Sequence, residues 1–152
     1  MEQRYRIGDS KVLESRETVD GKMIRRRRES PDGRRFTTYE RIEMPTLTVL
    51  KRSGNKENFD RDKLLIAIKR SVGKFFNSEL EVEEVVNKVV DRLYSYGTDV
   101  VRSKQIGDAV LDVLADVNQV AYVRFASVFQ EFKTLDDFEE ILKQRKNKKV
   151  SK

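Results

Sequence analysis

The 152-residue sequence has no cysteine, no histidine and no tryptophan, and only two prolines. Without cysteine no disulfide forms, and without cysteine and histidine no zinc site of the usual structural kind forms. A cysteine nucleophile and a histidine-based catalytic triad are excluded for the same reason. No apolar run approaches the roughly 20 residues that cross a bilayer, and the N-terminal segment lacks the apolar core of a signal peptide. We therefore expect an intracellular protein with no membrane partner.

The net charge of +6 is unevenly distributed along the chain. Residues 1–45 carry +3, residues 46–142 carry −3, and the lysine-rich residues 143–152 carry +6. The high isoelectric point therefore reflects the C-terminal segment, which is predicted to be a solvated, disordered tail. The body of the chain is neutral, so net charge alone is weak evidence for a nucleic-acid partner.

The densest basic cluster lies in the N-terminal part, where seven basic residues fall within 14 positions. They are Lys22, Arg25, Arg26, Arg27, Arg28, Arg34 and Arg35. Successive side chains of a strand point to opposite faces, so four consecutive arginines place charge on both faces of a sheet. Guanidinium binds phosphate through paired hydrogen bonds, so a phosphate-bearing partner would neutralise such a face.

Turn motifs predict a small β-unit at the N-terminus. Asp20-Gly21 and Pro31-Asp32-Gly33 separate three short strands within residues 10–43, and Pro45 marks the end of the unit. A β-unit of about 40 residues usually needs a metal, disulfides or a partner to stay folded. This one has no cysteine to supply either of the first two.

A short hairpin and a helical bundle are predicted after Pro45. Asp60 is the predicted N-cap of the first helix, Ser103 the cap of the third, and Thr134 with Asp137 a capping box for the last. Residues 119–132 are apolar on nearly all sides, which predicts the most buried helix. The predicted fold class is α+β, with a three-stranded β-unit followed by a hairpin and four or five helices.

One group of cations indicates a binding site. Lys51 and Arg52 lie at the predicted hairpin tip beside Gly54, and Lys63 lies near the start of the next helix, where backbone N–H groups attract anions. The three cations are placed to converge on a polyphosphate, with a solvated turn as the alternative interpretation. No Walker-type or G-x-G-x-x-G motif is present, and the carboxylates are spread over polar helix faces, so no catalytic constellation is predicted.

Three segments carry a resemblance to a known family: SKVLESRETVDGKMIRRRRES with GRRFTTYERIE, VLKRSGNKENFDRDKLLIAI, and VAYVRFASVFQEFKTLDDFEEIL. In order and spacing they resemble the NrdR-type bacterial repressors of ribonucleotide reductase genes, over about residues 10–142. That family joins a DNA-binding zinc ribbon to an ATP-cone that binds ATP and dATP. The resemblance implies a ribbon-like unit in residues 1–45, an ATP-cone in residues 46–142 and a basic tail in residues 143–152.

The resemblance implies a nucleotide-sensing repressor and not an enzyme. In such a protein ATP or dATP sets the state of a homo-oligomer, and the dATP-loaded form binds operator boxes in double-stranded DNA upstream of reductase genes. The expected location is the bacterial cytoplasm, at the nucleoid when DNA is bound. The implied nucleotide contacts are Val49, Lys51, Arg52 and Lys63. The implied DNA contacts are Arg25, Arg26, Arg27, Arg28, Arg34 and Arg35.

The sequence departs from the family at the zinc ligands. The family has C-P-x-C near its start and C-x-x-C after the arginine strand, whereas this chain has polar residues at 3–6 and Ser30-Pro31-Asp32-Gly33, one residue shorter. Zinc is therefore not expected. Three interpretations follow: the β-unit folds without metal, it orders only on DNA or in an oligomer, or the protein has specialised in nucleotide sensing. The second functional hypothesis is an ATP-cone regulator that acts through a protein partner, with DNA binding weakened or lost.

Overall fold

A computed structural model describes residues 6–150 of the chain, with side chains through residue 146. The chain divides into two compact units, with the boundary between Pro45 and Thr46. The first unit is an antiparallel sheet of three strands, and the second combines a three-stranded sheet with α-helices. The predicted α+β fold class is confirmed.

The first unit consists of β1 (Lys11–Glu17), β2 (Met23–Glu29) and β3 (Arg35–Arg41), with β2 in the centre. Gly21 and Gly33 in the two turns have φ of 70° and 86°, values that favour glycine, so both predicted turns form where expected. Within the described part of this unit, Met23 is the single buried hydrophobic side chain, at 1% exposure. The sheet therefore has very little apolar core.

The second unit begins with the predicted hairpin, formed by β4 (Thr48–Leu50) and β5 (Lys56–Asn58). A third strand, β6 (Val100–Arg102), pairs with β4 in parallel. Gly54 closes the hairpin turn with φ of 89°. Strand β6 is not visible in the sequence pattern, because three residues that lead directly into a helix are too few to show an alternating pattern.

Helices make up the rest of the second unit. They are α1 (Arg61–Val72), α2 (Glu79–Ser95), α3 (Ser103–Val117), α4 (Gln119–Phe129) and α5 (Leu135–Val150), with a 3₁₀ turn at Gly73–Phe75. The core lies among α1, α2 and α3, and its fully buried side chains include Ile68, Val86, Val89, Leu93 and Leu114. Valine and leucine at helical spacing on α2 predicted this face correctly.

Two of the three predicted helix caps are confirmed. The Asp60 carboxylate accepts hydrogen bonds from the backbone N–H of Asp62 at 2.9 Å and of Lys63 at 3.3 Å. Asp137 accepts from the N–H of Thr134 at 3.1 Å, and its own N–H donates to Thr134 Oγ1 at 3.4 Å. The prediction for Ser103 was wrong: it is the first helical residue, because β6 runs into α3 without a loop.

The prediction that α4 is the most buried helix was also wrong. Its buried residues are Ala121 and Ala126, whereas Val120 and Val128 are 62% and 60% exposed. An apolar surface on all sides of a helix does not show which side faces the core. In α4 it is the side with the small alanines that faces the core. The most buried helices are α2 and α3.

Helix α5 differs from the disordered tail predicted to start at residue 143, since it continues through Val150. Asp136 and Asp137 lie in its first turn, where their negative charge complements the helix dipole. Lysine, arginine and glutamine are also good helix formers. Residues 151 and 152 lie outside the described part of the chain.

Candidate functional site

Two of the predicted nucleotide-binding residues converge on one carboxylate. Lys51, after β4, places its Nζ 3.1 Å from an oxygen of Glu57, and Lys63, on the first turn of α1, places its Nζ 3.7 Å from the same oxygen. Both lysine side chains are accessible, at 47% and 67% exposure. The hairpin and the start of α1 therefore form a small cationic site with Glu57 between the lysines.

Electrostatics keep Glu57 charged. The hydrogen bond from Lys51 lowers the pKa of this carboxyl, burial opposes the shift, and the charges of Lys51 and Lys63 add to the lowering. Glu57 is therefore ionised at neutral pH and occupies the position between the lysines. An anionic ligand with more charge than one carboxylate can replace it there.

The first backbone N–H groups of α1 are less available to an anionic ligand than the sequence predicts. Because Asp60 accepts hydrogen bonds from the N–H groups of Asp62 and Lys63, those two donors already have an anionic partner. An incoming phosphate would meet lysine side chains before it met free backbone N–H groups. The capping aspartate therefore makes α1 a positioning element for Lys63 more than an anion site in itself.

The other two predicted residues have different environments. Val49 is 6% exposed in the central strand β4, where it pairs with Glu57 on one side and Val101 on the other. Its side chain is therefore packed in the core and stabilises the hairpin. Arg52 lies in the exposed turn at the hairpin tip, so its side chain is accessible to a ligand.

Sequence reasoning missed a buried polar cluster at the start of α1. Arg61 Nη2 lies 2.7 Å from Glu83 Oε2 on α2 and donates a hydrogen bond to Asn87 Oδ1 at 2.6 Å. Glu83 is only 3% exposed and Asn87 8%. Among the described residues, Arg61 Nη1 and Asn87 Nδ2 are buried without a hydrogen-bond partner.

This cluster fixes the first turn of α1, and with it Lys63, against α2. The expectation that carboxylates lie on polar helix faces is wrong for Glu83, which is 3% exposed. The spacing of Glu83 to Val86 and Val90 places it on the valine side of α2, and that spacing could have indicated its burial.

In the first unit, strand register sorts the arginine cluster onto two faces. Arg25 pairs with Tyr39 and Arg16, and Arg27 pairs with Thr37 and Glu14. Paired residues share a face. The charged residues on this side, which we term the basic face, are Lys11, Glu14, Arg16, Arg25, Arg27, Glu29, Arg35 and Arg41. Six are cationic and two are anionic.

The opposite face is close to neutral. Arg26 Nη1 lies 3.3 Å from Glu40, and Arg28 donates hydrogen bonds to Thr38 Oγ1 at 3.1 Å and Ser10 Oγ at 3.2 Å. Arg34 lies in the second turn, where its Nε is 3.2 Å from Asp32. The six predicted DNA-contacting arginines therefore do not form one surface, and Arg25, Arg27 and Arg35 are the three that share the basic face.

Comparison with known proteins identifies the family. A model described as the N-terminal domain of NrdR-like transcriptional repressors matches residues 6–40, and an ATP cone domain model matches residues 47–135. A relative named transcriptional repressor NrdR, from Dictyoglomus turgidum, is 45% identical over 139 residues, which cover 91% of this chain and 93% of that protein. This chain belongs to the NrdR family.

Other relatives of the same name agree. The NrdR protein of Streptococcus sanguinis is 45% identical over 136 residues, covering 89% of this chain and 87% of that protein. The one from Thermotoga neapolitana is 44% identical over 142 residues, covering 93% and 91%. These relatives are named transcriptional repressors, which are not enzymes, and the match to the ATP cone domain supports nucleotide sensing. Within the described residues of this NrdR chain, no helix is long and apolar enough to cross a membrane.

Proposed function

We propose that this protein is an ATP- and dATP-controlled repressor that binds operator boxes upstream of ribonucleotide reductase genes. The ATP-cone would sense the nucleotide, the N-terminal sheet would bind double-stranded DNA, and the nucleotide would set the state of a homo-oligomer. The observation that carries the proposal is the convergence of Lys51 and Lys63 on Glu57, because it brings two cations from different elements to one anion position.

The nucleotide proposal follows from the charges at that position. In the absence of a ligand, Glu57 offsets one of the two lysine charges. A triphosphate carries several negative charges and competes for both ammonium groups, while Arg52 in the adjacent exposed turn can bind it bidentately. Displacement of Glu57 would change the contacts between the hairpin and α1, which gives nucleotide binding a direct structural effect.

Lys63→Ala tests the nucleotide site. We expect at least about a tenfold loss of affinity for ATP and dATP, or about 1.4 kcal/mol, measured by isothermal titration calorimetry. Lys69→Ala is the matched control on the same helix, since Lys69 pairs with Glu79 at 3.6 Å instead of Glu57. Equal affinities of the two variants would contradict the assignment.

The DNA proposal rests on the basic face of the first unit. Six cations share that face with two carboxylates, and phosphate contacts made by several of them would release counterions on binding. We expect the dATP-loaded protein to retard reductase-promoter DNA in a gel-shift assay, with affinity that falls steeply as salt rises. Arg25→Ala should weaken binding and reduce the salt slope by about 1.

The second candidate is a regulator that acts on a protein partner, which the replaced zinc ligands favour. The gel-shift assay distinguishes the repressor from the regulator that acts on a protein partner. Retardation by dATP-loaded protein supports the repressor. Absence of retardation at low salt with any nucleotide, together with nucleotide binding and capture of the reductase in a pull-down, supports the second candidate. Light scattering with ATP and with dATP tests the proposed change of oligomeric state.

A further inference from the structure

Zinc does not fit the side chains that the first unit offers. A structural zinc site needs four ligands, usually thiolates and imidazoles. Near the N-terminal turn at residues 7–10 and the second turn, the described residues instead provide the hydroxyls of Ser10 and Ser30 and the carboxylates of Asp9 and Asp32. Within the part of the chain that the structure describes, no three His, Cys, Asp or Glu side chains are grouped to hold a metal ion.

The N-terminal turn and the second turn are each closed by hydrogen bonds between their own residues. At the N-terminal end, the backbone N–H of Ser10 donates to the carbonyl of Ile7 at 3.1 Å. In the second turn, Ser30 N–H donates to Arg34 O at 2.8 Å, and Gly33 N–H donates to Ser30 O at 2.9 Å. The carboxylate of Asp32 accepts a hydrogen bond from the Ser30 hydroxyl, which lowers the pKa of Asp32.

A first link between distant parts of the unit runs through Arg28 on the near-neutral face. Its guanidinium donates to Ser10 Oγ at 3.2 Å, before β1, and to Thr38 Oγ1 at 3.1 Å, on β3. This Arg28 bridge joins the N-terminal turn, the central strand and the far edge of the sheet. Ser10 and Arg28 are 18 positions apart in the chain, so the bridge closes a long loop.

A second link lies on the basic face. Glu29 is 3.4 Å from Lys11 on β1 and 3.3 Å from Arg35 on β3. The hydrogen bond from Lys11 and then that from Arg35 lower the pKa of Glu29, so the carboxylate stays ionised at neutral pH. This Glu29 bridge crosses all three strands at the same end of the sheet as the Arg28 bridge.

We infer that the first unit folds without zinc, and that the Arg28 bridge and the Glu29 bridge connect the segments that a zinc ion connects in a zinc ribbon. Both bridges use side chains of β2, so the arginine strand supports the fold as well as the basic face. Arg28 is then a positioning residue within the sheet. The DNA-binding unit is expected to tolerate chelators and thiol oxidants.

The first test uses the full-length protein. We expect elemental analysis to find less than about 0.1 zinc per chain, and hydrogen exchange to show protected β2 and β3 amides with or without excess EDTA. Stoichiometric zinc with loss of protection in EDTA would overturn the inference, as would unprotected amides in metal-free protein. These readouts do not involve DNA, so they stand even if operator binding fails.

The second test separates the Arg28 bridge from strand charge in general. Arg28→Ala should raise the exchange rates of β1 and β2 amides about tenfold or more. Arg26→Ala, on the same strand and face but paired with Glu40, should change them less than about threefold. The α2 and α3 amides of the second unit serve as the internal reference. Equal effects of the two substitutions, or none from Arg28→Ala, would refute the role of the bridge.

Discussion

Replacement of Glu83 by alanine should strongly destabilise the second unit. Glu83 is 3% exposed and pairs with Arg61, whose side chain is 14% exposed, at 2.7 Å. The substitution leaves the Arg61 charge buried, with its hydrogen bond to Asn87 Oδ1 at 2.6 Å retained. Breaking a buried ion pair in this way costs about 3–5 kcal/mol, and the retained Asn87 contact favours the lower end, about 3 kcal/mol.

This free energy corresponds to a large change in melting temperature. For a unit of about 100 residues, 1 kcal/mol shifts Tm by roughly 4–8 °C, so a cost of about 3 kcal/mol should lower Tm by about 12–24 °C in calorimetry. The control is Lys69→Ala, which removes an exposed pair with Glu79 between the same two helices. Its cost should be about 0.2–1 kcal/mol.

A double variant tests the physical reason. If the cost arises from an unpaired buried charge, Arg61→Met combined with Glu83→Leu should recover most of the lost stability, because both charges are gone. A Glu83→Ala cost within about 1 kcal/mol of the Lys69→Ala cost would refute the reasoning. So would a double variant less stable than Glu83→Ala alone.

Two further predictions concern packing and pH. A Cβ at Gly107 would lie 2.1 Å from the ring of Phe129, so Gly107→Ala should lower the free energy of unfolding by about 1–3 kcal/mol in urea denaturation. Gly73→Ala is the control and should be close to neutral, because the nearest atom to its Cβ is 3.8 Å away. Equal costs of the two substitutions would contradict the packing argument. Because the pKa of Glu29 is lowered in the folded protein, its contribution is present above its ordinary value of 4.5 and is lost as pH falls through the folded pKa. The protection of β1 to β3 amides should therefore weaken below about pH 4.5, and Glu29→Gln should reduce this pH dependence; an unchanged profile would contradict the role of the Glu29 bridge.

Local chemistry made much of the fold predictable. Gly21, Gly33 and Gly54 predicted turns because each has a positive φ that other residues rarely adopt. Asp60 and the Thr134–Asp137 box predicted helix starts because a side-chain acceptor must satisfy the first free N–H groups. These features depend on residues a few positions apart, so they are visible in the sequence.

Features set by long-range contacts were harder to predict. The pairing of β6 with β4 joins residues about 50 positions apart, and burial of Glu83 depends on Arg61 in another helix. The candidate site shows the same limit. The sequence indicated Lys51 and Lys63 as binding residues. The placement of Glu57 between them, and the division of the arginines between two faces, depend on strand register and were not predicted.

The position of β2 between two strands has a consequence for the entropy of DNA binding. A free arginine side chain loses about 2 kcal/mol of rotamer entropy when it is fixed. Arg27 on the basic face is already held by Thr37, at 3.1 Å. Part of its ordering cost is therefore met when the sheet folds, so a phosphate contact by Arg27 would retain more of its interaction energy than one from a mobile surface arginine.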